Sequence, residues 1–349
     1  MGLIRVILAL SVVMVHCGGR LFGLPITDGE MAVDSFFIIS GFYMSLILTS
    51  RYQTQLGSFY FNRFLRLYPT YWMVLAACAA GAVLYRLAMG SFPPDTFHWS
   101  GRPGGWSVWG AMALANVFIV GTDVSFWFRS GAYCGYLVDP PVWSVGAEIF
   151  FYALAPVFAA ASLPLLLGCF AAAAALREAL WLAHGSQPTA WTYSFAPAAL
   201  PLFLAGILAH RAYARLEKNP GRFPGRAAGL VLTGLFAAAI LLQSELRRLG
   251  ALAPLTRMGS HHWMFYLAFA ASLPWIFASS KDRPFDNWMA GWSYPLYLCH
   301  WPVLALGAPL LALAAPALRP AAVVALTLVF AGAVLWLDQR VQRRFKRSV

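Results

Sequence analysis

Five groups of polar residues stand inside runs that are otherwise apolar, and each has a spacing that chemistry can use. Arg5 and His16 share the first run, RVILALSVVMVH. Eleven residues of helix make roughly three turns plus 20°, so both side chains share a face, about 16 Å apart along the axis. Histidine takes and returns a proton near neutral pH, which suits a general base. The plainer alternative for His16 is a buried ring tied to a neighbouring helix. Asp34 opens the second run in VDSFFIISGF. A carboxylate there can orient the His16 imidazole, as in other base–orienter pairs, or cap its own helix. Arg63 and Arg66 in FYFNRFLRLYPTYW are spaced i, i+3 and share one face of a helix. Two guanidiniums in register make a phosphate clamp, whereas snorkelling to the interface explains a single Arg better than a matched pair. Glu148 lies inside PVWSVGAEIFFYALAP, with Trp143 and Ser144 before it and Tyr152 one turn on. Ser293, Tyr297 and His300 in GWSYPLYLCHWPV fall at i, i+4 and i+7, a polar stripe better suited to a helix-packing network than to direct catalysis.

The elements that must position these residues follow from composition. Of 349 residues, 60% are hydrophobic and only 11% charged, and the mean hydropathy is +0.65. A soluble domain carries roughly 25% charged residues, so a soluble globular enzyme is excluded. The expected fold is all-α: a single polytopic membrane helix bundle over 1–349. Each crossing takes about 20 residues. Apolar runs at 3–22, 31–49, 70–89, 143–160, 163–183, 194–212, 227–243, 263–279, 288–313 and 320–337 predict about ten spans. The first run lacks a small-residue cleavage site and carries His16, which reads as a retained span rather than a signal peptide. Inside hydrocarbon an ionisable side chain costs at least about 2.5–3.5 kcal/mol, so each of the residues above needs a partner or a use.

One further run, 107–121, is short. If it does not cross and the N-terminus is cytoplasmic, the inner face collects Arg5, then Arg51, Arg63 and Arg66, then Arg211, Arg215, Lys218, Arg222 and Arg226. Lys281, Arg283 and the tail residues Arg340, Arg343, Arg344, Lys346 and Arg347 complete sixteen of the 25 basic residues. That bias obeys the positive-inside tendency and predicts both termini in the cytoplasm, with 338–349 a basic cytoplasmic tail. The stretch 90–142 becomes an extracytoplasmic loop with a re-entrant or interfacial segment. Its Trp99, Trp106, Trp109 and Trp127 suit a bilayer interface. The net charge of +12 is read as topology rather than nucleic-acid binding, since no nucleic-acid motif is present. Five cysteines, Cys17, Cys78, Cys134, Cys169 and Cys299, build neither a disulfide framework nor a CxxC metal site.

The same residues resemble the signature of the acyltransferase-3 family, integral membrane acyltransferases that O-acylate bacterial glycans. RVILALSVVMVH resembles its Arg-x10-His element, VDSFFIISGF its Asp-Phe-Phe-(x)-Ser-Gly-Phe element and RFLR its Arg-x-x-Arg element. VWSVGAEIFFYALAP and SYPLYLCHWP are similar to its Trp-Ser…Glu and Ser-Tyr…His blocks, in the family's order. Two departures stand out. Gly146-Ala147-Glu148 keeps a single Glu where the family often has two, and Asp338, with no proline following, replaces a terminal Glu-x-Pro. No esterase-like domain follows the last span, so a stand-alone membrane module is expected.

The resemblance implies transfer of an acyl group, usually acetyl from acetyl-CoA, to a carbohydrate hydroxyl at the bacterial inner membrane, with no metal. Carried over, His16 would be the base or a transient acyl carrier, with Asp34 and Glu148 orienting it or the acceptor. Arg5, Arg63 and Arg66 would hold coenzyme A. Trp143, Ser144, Tyr152, Ser293, Tyr297 and His300 would support the substrate. The alternative from another class is a transporter or flippase of a glycan or acyl-group precursor, which intramembrane charges and many Gly and Pro residues also fit.

Overall fold

A computed structural model describes residues 1–18, 20–21, 24–25, 29–93, 105–126, 136–184, 190–218, 226–248 and 262–345. Trp99, Trp127, Cys134, Arg222, Lys346 and Arg347 lie outside the described residues. The helices are α1 (Gly2–His16), α2 (Gly29–Ser50), α3 (Leu56–Met89), α4 (Trp106–Phe118), α5 (Trp143–Ala160) and α6 (Leu163–His184), then α7 (Ala196–Glu217), α8 (Arg226–Arg248), α9 (Trp263–Ser280), α10 (Pro284–Leu306), α11 (Ala308–Leu313) and α12 (Arg319–Phe345). A two-residue antiparallel ladder, Arg20–Leu21 with Leu24–Pro25, joins α1 to α2.

Among the described residues, seven helices are long and apolar enough to cross a membrane. The ten expected runs do not map onto ten such helices. The first run yields only the shorter Gly2–His16, and 227–243 yields the shorter apolar helix Ala227–Leu242. The run 288–313 breaks at Gly307, where α10 ends and α11 begins. The run 70–89 is the far half of a helix starting at Leu56, because the amphipathic stretch with Arg63 and Arg66 continues into it without a break. At the basic end of the chain, α12 runs through to Phe345.

The core forms where α2 packs against α7, α5 and α1, while α10 packs against α1, α12 and α3. Small residues let two backbones approach, as in membrane helix pairs generally. A Cβ at Gly41 would strike the Phe203 carbonyl, and a Cβ at Gly206 would strike the Ile38 carbonyl. This close crossing fixes the rotation of α2, and so decides which of its side chains face inward.

The short run around 107–121 forms α4, whose last turn ends against the middle of α3. The Tyr68 hydroxyl donates to Phe118 O (2.6 Å), Trp72 Nε1 donates to Val117 O (2.8 Å), and the Tyr71 hydroxyl donates to Asn116 O. Helix-end carbonyls have no partner in their own helix, and here α3 supplies the donors. Asn116 then ties down the segment leading into α5, donating from Nδ2 to Tyr136 O (2.8 Å) and accepting from Val138 N–H (2.7 Å).

The α2–α7 crossing is testable. Gly206→Leu is expected to destabilise the detergent-solubilised protein by about 1–3 kcal/mol, as overpacking does elsewhere. Gly234→Ala, which faces open space in mid-helix, should be neutral or stabilising. Thermal unfolding followed by size-exclusion chromatography reads both. Equal melting temperatures for Gly206→Leu and wild type would contradict the close crossing.

Candidate active site

One cavity of about 290 Å³ opens between α1, α2, α3, α5 and α10. On α2 most of its lining, Val33, Phe36, Phe37, Ser40, Tyr43, Met44 and Ile47, forms a stripe of period three to four along one helix face, with Ile39 beside it. Arg5 from α1 and Arg63 and Arg66 from α3 point into it, and so does Glu148 from α5. Ser144, Tyr152, Ser293, Tyr294 and Tyr297 complete its polar surface. The two arginines spaced i, i+3 thus act on one space together with Arg5 from another helix.

The electrostatics of this cavity are unbalanced. Glu148 accepts from the Tyr152 hydroxyl (2.6 Å) and from Ser40 Oγ (2.8 Å), both on Oε1. None of the three guanidiniums has a hydrogen-bond or ion-pair partner among the described residues, and Arg63 Nε is buried without one. Three positive groups therefore face one carboxylate. Such an excess of guanidinium charge in a partly apolar cavity fits an anionic occupant with several oxygens.

His16 does not share this cavity. It ends α1, where it is exposed and its ring meets that of His300 edge to edge, with centroids 4.9 Å and planes 21° apart, and meets Trp301 edge-on. Its Nδ1 lies 2.9 Å from His300 Nε2. The reason is the parallel packing of α1 along α10. Asp286 at the start of α10 accepts from the backbone N–H groups of Gly2 (2.6 Å) and Leu3 (3.0 Å). Both helices then climb the same fourteen residues to His16 and His300. The cavity comes nearest to this pair along α10 at Tyr297, one turn before His300. There the Tyr297 hydroxyl lies 2.7 Å from Ser144 Oγ and donates to Pro141 O (2.8 Å).

The expected meeting of His16, Asp34 and Glu148 is not what the structure shows; each has its own partners. Asp34 is fully buried, and its Oδ2 accepts from Arg177 on α6 (2.6 Å). Successive helix residues are 100° apart, so when Val33 faces the cavity, Asp34 turns toward α6 and α7. Trp143 is also turned away: it is buried and packs edge-on against Tyr193, with centroids 4.7 Å apart. Arg177 escaped the sequence reading, although the signal was there, an arginine inside the apolar run AAAAALREAL. Ser40, Tyr43 and Tyr294 escaped it too, since uncharged polar residues carry no such flag. Among the described residues no group of three or more His, Cys, Asp and Glu side chains is placed to hold a metal ion.

A buried pair differs from a catalytic carboxylate in how it responds to mutation. Arg177→Met is expected to destabilise by about 3–5 kcal/mol, because it leaves the buried Asp34 unmatched, and Asp34→Leu by less, because Glu30 Oε1 still lies 4.0 Å from Arg177 Nη2. The double variant should recover most of that loss. Melting temperatures of the three purified variants check this; additive losses in the double variant would contradict the pairing.

A family model described as an acyltransferase domain matches residues 1–336 of the 349. No curated protein and no solved structure matches the chain.

Proposed function

Because the chain belongs to the acyltransferase-3 family and is a membrane acyltransferase, we propose that it moves an acyl group, acetyl before any longer chain, from acyl-CoA to a hydroxyl of a surface or secreted polysaccharide. The observation that carries this reading is the cavity lined by three guanidiniums with no hydrogen-bond or ion-pair partner among the described residues. Coenzyme A offers phosphate oxygens that match Arg5, Arg63 and Arg66, and a flexible thioester arm that can extend along the cavity toward Ser144 and Tyr297. Arg5 sits early in α1 and His16 at its far end, so the donor enters from the arginine side and the acceptor from the histidine side. The positive-inside tendency assigns the arginine side to the cytoplasm, where acyl-CoA is made. This orientation supports a bacterial inner-membrane location with ten passes, cytoplasmic ends, and α4 as a re-entrant helix that stops halfway along α3.

The chemistry is a substitution at the thioester carbonyl. The acceptor O–H bond breaks as its proton moves to His16, the new C–O bond forms, and the C–S bond breaks. The thiolate of coenzyme A then takes the proton from His16. A thioester is reactive enough to need no metal, whereas a hydroxyl is a weak nucleophile without a base. Glu148, fixed by Ser40 and Tyr152, adds one negative group to the cavity the arginines line and limits where the phosphates seat.

With labelled acetyl-CoA and a glycan acceptor, His16→Ala membranes are expected to form no acylated product where wild type does. A transporter of a glycan precursor would form none in either case. Arg63→Ala and Arg66→Ala are each expected to raise the KM for acetyl-CoA about tenfold or more, as loss of a charged contact of about 1.5–3 kcal/mol requires, with little change in kcat. An unchanged donor response in both variants would remove the phosphate role.

A further inference from the structure

The ring contact between His16 and His300 fixes more than position. His300 is fully buried, and its Nδ1 lies 2.5 Å from the backbone carbonyl of Tyr297. A carbonyl only accepts, so His300 Nδ1 carries a proton and donates it there. No carboxylate touches His300 among the described residues, and a ring this deep without a counter-ion holds one proton only. His300 Nε2 is then a bare lone pair. It lies 2.9 Å from His16 Nδ1, and only an N–H can fill that contact. His16 must therefore carry its proton on Nδ1, which leaves Nε2 unprotonated on the exposed side of the ring.

From this chain of donors we infer that His300 is a positioning residue that selects the Nδ1–H tautomer of His16 and aims its Nε2 as the base. The inference rests on the acyl-transfer reading for its purpose, but not for its geometry. Free imidazole side chains in water favour the opposite tautomer, with the proton on Nε2, which would hide the lone pair against α10. His300 does for His16 what a carboxylate does in a serine-protease triad, through a neutral acceptor held by a helix carbonyl. When His16 takes the acceptor proton on Nε2, its Nδ1–H stays on His300 Nε2, so the imidazolium keeps a hydrogen-bond partner throughout the step. The backbone carbonyl of Tyr297 anchors this relay, and the Tyr297 side chain lines the donor cavity. One residue thus ties the base to the donor site.

Two measurements test this. The first is 15N NMR of histidine-labelled protein in lipid, with His16 assigned by its loss in His16→Ala. Wild type is expected to show a protonated Nδ1 and an unprotonated Nε2 at His16, and His300→Phe is expected to shift the population toward the Nε2–H form. An Nε2–H tautomer at His16 in wild type would overturn the inference. The second is kinetic, on variants that keep the wild-type elution profile. His300→Phe is expected to lower kcat about 10²-fold or more, in the range of acid–base effects, with KM for acetyl-CoA nearly unchanged. His300→Gln places an amide oxygen near the Nε2 position and is expected to recover at least about tenfold of that loss, one hydrogen bond's worth. Equal activity of His300→Phe and wild type, or no rescue by His300→Gln, would also overturn it. Should wild type transfer no acyl group at all, the functional reading would fall, and the ring spectrum alone would still decide the tautomer.

Discussion

A charge in hydrocarbon must be matched by protein or by something the protein binds. This constraint separates two sets of ionisable groups. Arg177 and Asp34 are matched within the fold, and so is Asp286, whose carboxylate receives the first N–H groups of α1 at the positive end of that helix. Arg5, Arg63 and Arg66 have no hydrogen-bond or ion-pair partner among the described residues. They converge on one cavity with a single carboxylate, which accepts two hydroxyls and no guanidinium. A fold that leaves three cations facing the same space is stable when water or an anion fills that space, and this is the simplest physical statement of a binding site.

The helix packing turns that statement into a direction. Parallel α1 and α10 carry the arginine end of the cavity at their starts and the paired histidines at their far ends. A rigid α2, locked on α7 through Gly41 and Gly206, supplies one wall. On the proposed function, the donor and acceptor sides are therefore separated along the helix axes rather than across one pocket. The hydrogen bond between Tyr297 and Ser144 stands between them. On the same reading, transfer across this point requires the two hydroxyls to separate or to let the thioester arm pass beside them.

Much of the site was legible in the amino-acid sequence because charges in apolar runs are conspicuous. Arg5, Arg63, Arg66 and Glu148 drew attention for that reason, and the structure brings all four to one cavity. What the sequence could not reveal was rotation. Asp34 and Val33 are neighbours in the chain yet face different walls, about 100° apart, and the choice depends on where α7 presses against α2. The pairing of His16 with His300 was hidden for a related reason. The spacing of Ser293, Tyr297 and His300 reads as a packing stripe, and nothing local shows that its last member meets a ring 284 positions away. Arg177 obeyed the same rule as the other charges but stood in an alanine-rich run that reads as a plain lipid-facing surface. Span counting was limited by local breaks, since Gly307 splits one apolar run and the helix starting at Leu56 merges an interfacial stretch with another.

The most direct measurement is a cryo-electron microscopy map of the protein in a lipid nanodisc with a non-hydrolysable thioether analogue of acetyl-CoA. If the arginine cavity is the donor site, phosphate density will lie within hydrogen-bonding distance, about 2.7–3.2 Å, of Arg63 and Arg66, with the thioether pointing toward Tyr297. Nucleotide density on the His16–Trp301 side of the bundle, with the arginine cavity holding only water, would contradict it.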